Sequence, residues 1–170
     1  MFDKLAEMHW ALPPAIGLVL LFTAAVLAHF VAQRLLVSAA RALARRSRST
    51  WDDALVDNKV FGRLAQLLPA LIIYLGIGFV PDLPESIDTL IRNVATGYMV
   101  LMLTLALTSA LSAANQVYES NPVSRERPLK GFVQLLQIGT WVMGGILVIS
   151  AVLNRSPVLL LSGVGAMTAI

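Results

Sequence analysis

The chain has 170 residues, of which 57% are hydrophobic and 14% are charged, and its mean hydropathy is +0.75. Soluble domains average about 45–50% apolar and about 25% charged residues, so this composition excludes an ordinary soluble domain and predicts an all-α integral membrane protein. The net charge is only +3, and the lack of cysteine excludes disulfides, thiolate nucleophiles and cysteine-ligated metals.

The first apolar run covers residues 12–33. Its 22 residues would form a helix of about 33 Å, which is long enough to cross a bilayer with a slight tilt. Pro13 and Pro14 fall at the start of this run, where proline is tolerated, so we expect the residues before them to form a short tail.

A basic segment follows the first span and contains Arg34, Arg41, Arg45, Arg46 and Arg48. Arginines next to a span mark the cytoplasmic side of the membrane, and this role in topology is one interpretation of the cluster. The alternative is that Arg41, Arg45, Arg46 and Arg48 bind anionic lipid headgroups of the inner leaflet. Thr50 and Asp53 then have the spacing of a capping box, which predicts a second helix from about Trp51.

Three further apolar runs predict spans over residues 60–80, 91–116 and 132–153. Pro69 lies in the middle of the first of these and predicts a helix kink. The second contains Thr104, Thr108 and Ser112 at a spacing of four residues, with a parallel row of alanines. Small residues in such rows allow helices in lipid to approach each other closely.

The final stretch, residues 157–170, begins with a proline suited to a helix start and continues with apolar and small residues. Ser162, Gly165, Ala166 and Ala169 recur at helical spacing and share one face. This face could serve ordinary helix packing or line a pore in an oligomer. Because the sequence stops inside an apolar run at Ile170, we expect this fifth membrane helix to be truncated.

The distribution of positive charge predicts the orientation of the chain. If the spans alternate in direction, ten of the 13 Lys and Arg residues lie on one side of the membrane and three, Lys4, Arg92 and Arg155, lie on the other. The positive-inside rule makes the side with ten cytoplasmic. The N-terminus is then outside, and the fifth helix runs inward.

The sequence offers little for catalysis. Arg63, Arg92 and His29 all lie near predicted span ends, where long side chains can reach the interface. His9 and His29 have no acidic companions at metal-ligand spacing, and no serine–histidine pattern or nucleic-acid motif is present. We therefore expect no catalytic, cofactor-binding or metal-binding residues, no cofactor, no nucleic-acid partner and no enzyme activity.

Several stretches resemble the MscS-like family of small-conductance mechanosensitive ion channels, in its five-span, miniconductance-type branch. The stretches are Thr50-Trp-Asp-Asp-Ala-Leu-Val56, Val60-Phe-Gly-Arg-Leu-Ala-Gln-Leu-Leu-Pro-Ala70 and Leu161-Ser-Gly-Val-Gly-Ala-Met-Thr-Ala-Ile170. Together the resemblance covers most of residues 41–170. Met167 and Thr168 depart from the dense Ala/Gly alternation of better-known members.

The resemblance implies a homo-heptamer in which residues 1–156 form outer sensor helices and residues 157–170 begin the pore-lining helix. Ser162, Gly165, Ala166 and Ala169 match the small-residue part of that helix, and a cytoplasmic β and α/β domain would follow Ile170. The implied function is a bacterial inner-membrane channel that opens under tension and releases ions and small solutes on hypo-osmotic shock. A secondary transporter subunit and a non-conducting membrane scaffold are the alternatives.

Overall fold

The computed structural model describes residues 2–46, 49–120 and 130–168, with side chains described for 13–44, 49–120 and 130–162. These residues form helices joined by short links, and no strand occurs among them. The elements are α1 (Phe2–Arg46), α2 (Thr50–Asp57), α3 (Val60–Ala65), α4 (Leu67–Gly76), a 3-10 turn (Ile77–Phe79), α5 (Glu85–Glu119), α6 (Lys130–Val152) and α7 (Pro157–Thr168).

Among the described residues, four stretches are long and apolar enough to cross a membrane, and they are Pro13–Ala44, Val60–Phe79, Glu85–Glu119 and Lys130–Val152. The predicted all-α fold is therefore confirmed, and these stretches correspond to the first four predicted spans. The described part of α7 has 12 residues and is about 18 Å long, which is shorter than the hydrocarbon core of about 30 Å. The fifth span stays a prediction.

The first membrane stretch begins at Pro13, but the expectation that Pro13 and Pro14 begin the helix is wrong. Helix α1 begins at Phe2 and continues for 45 residues, so Pro13 and Pro14 lie inside it and not at its start. The prolines remove two N–H donors from the helix. The residues before them, Asp-Lys-Leu-Ala-Glu-Met, are mostly good helix formers, and the helix extends through them despite this loss.

The start of α2 also differs from the prediction. Ser49, and not Thr50, is the N-cap residue, because its hydroxyl accepts a hydrogen bond of 3.3 Å from the backbone N–H of Trp51. Asp52 and Asp53 occupy the first turn, where the helix dipole favours negative charge. Helix α2 ends after Asp57, and Lys59 connects it to α3 with a left-handed backbone, φ 59°.

The second membrane stretch is interrupted at Gln66, between α3 and α4. Pro69 lies three residues further on, in the first turn of α4. A proline at this position cannot donate to the carbonyl of Ala65, and its ring clashes with that carbonyl, so the chain bends near Gln66. The interruption is thus one turn before the proline itself.

The membrane helices form a row in the order α1, α3–α4, α5 and α6. Within the described residues, helix α1 packs against α2, α3 and α4 but makes no close backbone contact with α5, and α6 packs only against α5 and α7. Close pairs show that neighbours in the row are antiparallel: Gly17 is beside Val80, and Gly76 is beside Leu21, further along α1. The middle of the row is therefore α3–α4 and α5, with α1 and α6 at its edges.

The contact between α5 and α6 depends on small residues. Gly97 of α5 lies against the side chain of Val152 of α6, and Gly144 of α6 lies against Thr104 of α5. Gly97, Thr104 and Gly144 are all buried. Helices that bring glycine to a contact can place their backbones close together, which is how helices associate in lipid.

We expect Gly144→Ala to destabilise the protein and Gly145→Ala to stabilise it. A Cβ atom on Gly144 would lie 2.9 Å from Cβ of Thr104 and still closer to its Oγ1 and Cγ2, whereas a Cβ atom on Gly145 would meet nothing within 4 Å. Overpacking costs about 1–3 kcal/mol, and alanine gains about 0.5–1 kcal/mol over glycine in a helix. Thermal unfolding of the purified protein in detergent measures both, and the reverse order of the two variants would contradict this packing.

Candidate functional site

The predicted pore face lies on a helix that has few neighbours. Helix α7 packs against α6 and against no other helix of the described chain. Ser162 is exposed, and its hydroxyl donates a 3.0 Å hydrogen bond to the carbonyl of Leu159. The backbones of Gly165 and Ala166 belong to α7, but their surroundings lie outside the described side chains, and Ala169 lies outside the described residues.

The predicted basic cluster is described only in part. Arg41 is exposed on α1 and lines a cavity of about 410 Å³ between α1, α3 and α5. Arg45 and Arg46 belong to α1, but their side chains are not among those described, and Arg48 lies outside the described residues. Of the four predicted lipid-binding arginines, Arg41 is the one whose side chain the structure describes.

The same cavity contains polar residues that the sequence did not single out as a site. Lys59 and Arg63 line it together with Arg41, and two amides, Gln33 and Gln66, complete its polar surface. These residues come from two parts of the sequence, α1 and the stretch that runs from Lys59 through α3 to Gln66. A left-handed backbone at Lys59 contributes to this arrangement, and no sequence motif signals it.

Arg63 is half-buried and does more than extend to the membrane surface. Its Nη1 donates a hydrogen bond to the backbone carbonyl of Leu105, in the middle of α5. A guanidinium has five N–H donors, so this bond leaves others directed elsewhere. Arg63 therefore fastens α3 to α5 and also contributes positive charge to the cavity.

Arg92 makes a similar contact toward the other end of α5. Its Nε and Nη2 donate to the two carboxylate oxygens of Asp88 at 2.7 and 3.2 Å, and its Nη1 donates to the carbonyl of Tyr74 at 2.9 Å. The guanidinium carbon also lies 5.5 Å from the centre of the Tyr74 ring. One side chain thus joins two turns of α5 to the end of α4.

The distance between the two arginine contacts can be compared with the thickness of a bilayer. Leu105, which accepts from Arg63, is 13 residues beyond Arg92 on α5, and this corresponds to about 20 Å along the helix. A hydrocarbon core is about 30 Å thick, so a centred molecule would place each arginine about 5 Å inside its boundary. Each guanidinium uses a backbone carbonyl of a neighbouring helix, which lowers the cost of its burial at this depth.

We expect Arg92→Lys to lower thermal stability, because an ammonium group cannot make the two-pronged contact with Asp88 and also reach the Tyr74 carbonyl. We expect the melting temperature of this variant to fall by about 2–4 °C for a chain of this size. The matched control is Arg155→Lys, since Arg155 is exposed in the link before α7. Equal melting temperatures for the two variants would show that the Arg92 contacts contribute nothing to stability.

Comparison with known proteins adds no assignment to these features. No protein-family model matches the chain, and no solved structure matches it. The features of this chain that bear on its function are helix α7, the basic cavity and the close α5–α6 contact.

Proposed function

We propose that this chain forms a homo-oligomeric ion channel that opens under membrane tension and releases ions and small solutes on hypo-osmotic shock. The observation that carries the proposal is that, within the described residues, α7 packs on α6 alone. The proposed location is the bacterial inner membrane, with the N-terminus outside and the chain after α7 entering the cytoplasm. The resemblance to MscS-like channels supports a heptamer.

The isolation of α7 supports an oligomer. A helix that contacts one neighbour leaves most of its surface without protein contacts, and in α7 this surface includes the exposed side chain of Ser162. In a cyclic oligomer, the α7 helices of several copies would pack against each other around the symmetry axis. Ser162, Gly165, Ala166 and Ala169 share the face that would allow this packing to be close.

The exposed apolar surface of α6 supports a response to tension. Outward-facing residues on α6 include Leu135, Ile138, Trp141, Val142 and Ile149, and each is at least 47% exposed. Such a surface exchanges contacts with lipid when the in-plane area of the protein changes. A force shifts the populations of two states only if it acts on a property in which they differ. Membrane tension acts on in-plane area, so it favours the conformation with the larger area.

A secondary transporter is the second candidate, and one observation favours it. The break at Gln66 makes the second membrane stretch discontinuous, and discontinuous helices often form transporter substrate sites near the bilayer midplane. The break is six residues from the start of a 20-residue stretch, or about 9 Å along a length of about 30 Å. This position is about 6 Å from the midplane, but the packing of α7 on α6 alone among the described helices favours a channel, which remains our proposal.

Patch-clamp recording tests the channel directly. We expect the full-length protein, reconstituted in liposomes, to give unitary currents whose open probability rises with applied suction. Empty liposomes and a gradient-driven solute-flux assay on the same preparation are the controls. Silence up to the lytic tension would refute the channel, and solute uptake driven by a proton or sodium gradient would establish the transporter.

Substitution on α7 tests the pore face. We expect Gly165→Leu to change the unitary conductance or the tension threshold, because a large side chain would enter a close helix contact or the pore itself. Val158→Leu, an apolar enlargement at an exposed position in the first turn of α7, is the matched control and should conduct as wild type does. If Gly165→Leu only abolished assembly, as judged by the mass of the complex, a scaffold role for α7 would replace the pore.

A further inference from the structure

The cavity between α1, α3 and α5 concentrates positive charge. Arg41, Lys59 and Arg63 all line it, and none of its described lining residues is acidic. No carboxylate lies within 4.0 Å of these three cations among the described residues, where the one salt bridge is Arg92 to Asp88. Three like charges around one cavity repel each other, and an anion inside it would relieve this repulsion.

The backbone at Lys59 is consistent with a functional position. The described chain has three non-glycine residues with positive φ, and the other two, Asp82 and Asn154, are of types that adopt this conformation easily. Lysine does not favour the left-handed backbone conformation, and holding a residue in such a sparsely populated region costs about 1–3 kcal/mol. Asn or Gly would form the same link between α2 and α3 at lower cost, so the ammonium group is the feature that distinguishes Lys59.

An apolar cavity of about 410 Å³ lies deeper in the membrane, between the same three parts of the row. It is lined by Phe22 of α1, Ile73 of α4, and Val94 and Tyr98 of α5, among others. Because α1 does not touch α5, the space over α3–α4 is a groove that these two helices flank.

The basic and apolar cavities lie along the same side of this groove. Gln33 and Phe22 are 11 residues apart on α1, and Leu105 and Val94 are 11 apart on α5. Residues 11 apart differ by only about 20° around a helix. The rise from Leu105 to Val94 is about 16 Å, so a chain that follows the groove between the two cavities crosses the bilayer midplane.

We propose that an anionic phospholipid of the adjoining leaflet binds in this groove. Its phosphodiester lies among Arg41, Lys59 and Arg63, the amides of Gln33 and Gln66 donate to headgroup oxygens, and one acyl chain follows the groove to the apolar cavity. A headgroup that carries its own cation, such as choline, would add charge to a site that already holds three. The groove therefore selects lipids such as phosphatidylglycerol over phosphatidylcholine, and this selection does not depend on whether the chain conducts ions.

Lipid titration of variants tests the headgroup site. The full-length protein in phosphatidylcholine nanodiscs is titrated with phosphatidylglycerol, and binding is read by native mass spectrometry. Lys59→Asn removes the charge at a position whose left-handed backbone asparagine adopts easily, so the fold is preserved. We expect about fivefold weaker binding of phosphatidylglycerol, since one basic residue near a charged membrane surface contributes on the order of a fivefold change in affinity.

The matched control is Lys130→Asn, which removes the same charge at the exposed start of α6, away from the groove. It should bind phosphatidylglycerol as wild type does. Arg41→Gln, on the exposed side of α1, should weaken binding as Lys59→Asn does. Equal binding of phosphatidylglycerol and phosphatidylcholine to wild type, or equal loss in Lys130→Asn and Lys59→Asn, would overturn the proposal.

Two further measurements separate a lipid from a free anion and locate its chain. Inorganic phosphate and glycerol phosphate should fail to displace phosphatidylglycerol at millimolar concentration, and displacement by either would show an anion site in place of a lipid site. Phosphatidylglycerol with a photoreactive group on its acyl chain should crosslink to the segments that contain Ile73 and Val94. Crosslinks confined to the outer surface of α6 would refute the placement of the chain in the groove.

Discussion

Close packing on two sides of α5 holds the row of helices together. Residues two apart on a helix point in nearly opposite directions, so Ala95 faces α4 while Gly97 faces α6. Further along, Thr104 meets Gly144 of α6, and Ala113 packs with Ala54 of α2. Helices in lipid gain no hydrophobic free energy by associating, so their association depends on contacts that small residues make possible. Because α5 supplies such residues on both sides, it is the helix that joins the outer helices to α6 within the described residues.

The hydroxyl groups inside this packing donate to backbone carbonyls. The hydroxyls of Thr96, Thr104, Thr108 and Ser112 each donate to the carbonyl four residues earlier in α5, at 2.8–3.1 Å. Among these hydroxyls, Ser112 also accepts a bond from another helix, from Nε2 of Gln137 at 3.0 Å. Arg63 and Arg92 follow the same rule when they bond to carbonyls of neighbouring helices. A membrane interior imposes this rule, because an unsatisfied polar group there costs several kcal/mol. Against this background, the three cations of the basic cavity are distinctive, since their charges have no carboxylate partner among the described residues.

Hydropathy and composition predicted the helical class and four membrane stretches, because spans are determined by the apolar length needed to cross a bilayer, a property of each segment alone. The polar contacts could not be predicted in the same way. The bond from Arg63 to Leu105 joins residues 42 apart and requires the register between α3 and α5, which depends on how small residues on both helices fit together. The length of α1 was missed because Pro13 and Pro14 were given more weight than the helix formers before them. The left-handed backbone of Lys59 was missed because local propensity favours Asn or Gly there, and lysine gives no signal of it.

The row also defines how a change in the outer helices would reach α7. Within the described residues, helices α1 and α4 do not contact α6, and the contacts between them and α6 run through α5. No salt bridge joins α5 to α6 within the described residues, and their packing at Gly97 and Gly144 depends on the fit between the two helix surfaces. Contacts of this kind do not depend on salt, whereas the lipid site that we propose over α3 would depend on the lipid composition of one leaflet. A channel built this way would respond to membrane tension through the fit between α5 and α6, and to anionic lipid through the groove that α5 shares with α1. Helix α5 is the element on which both influences act.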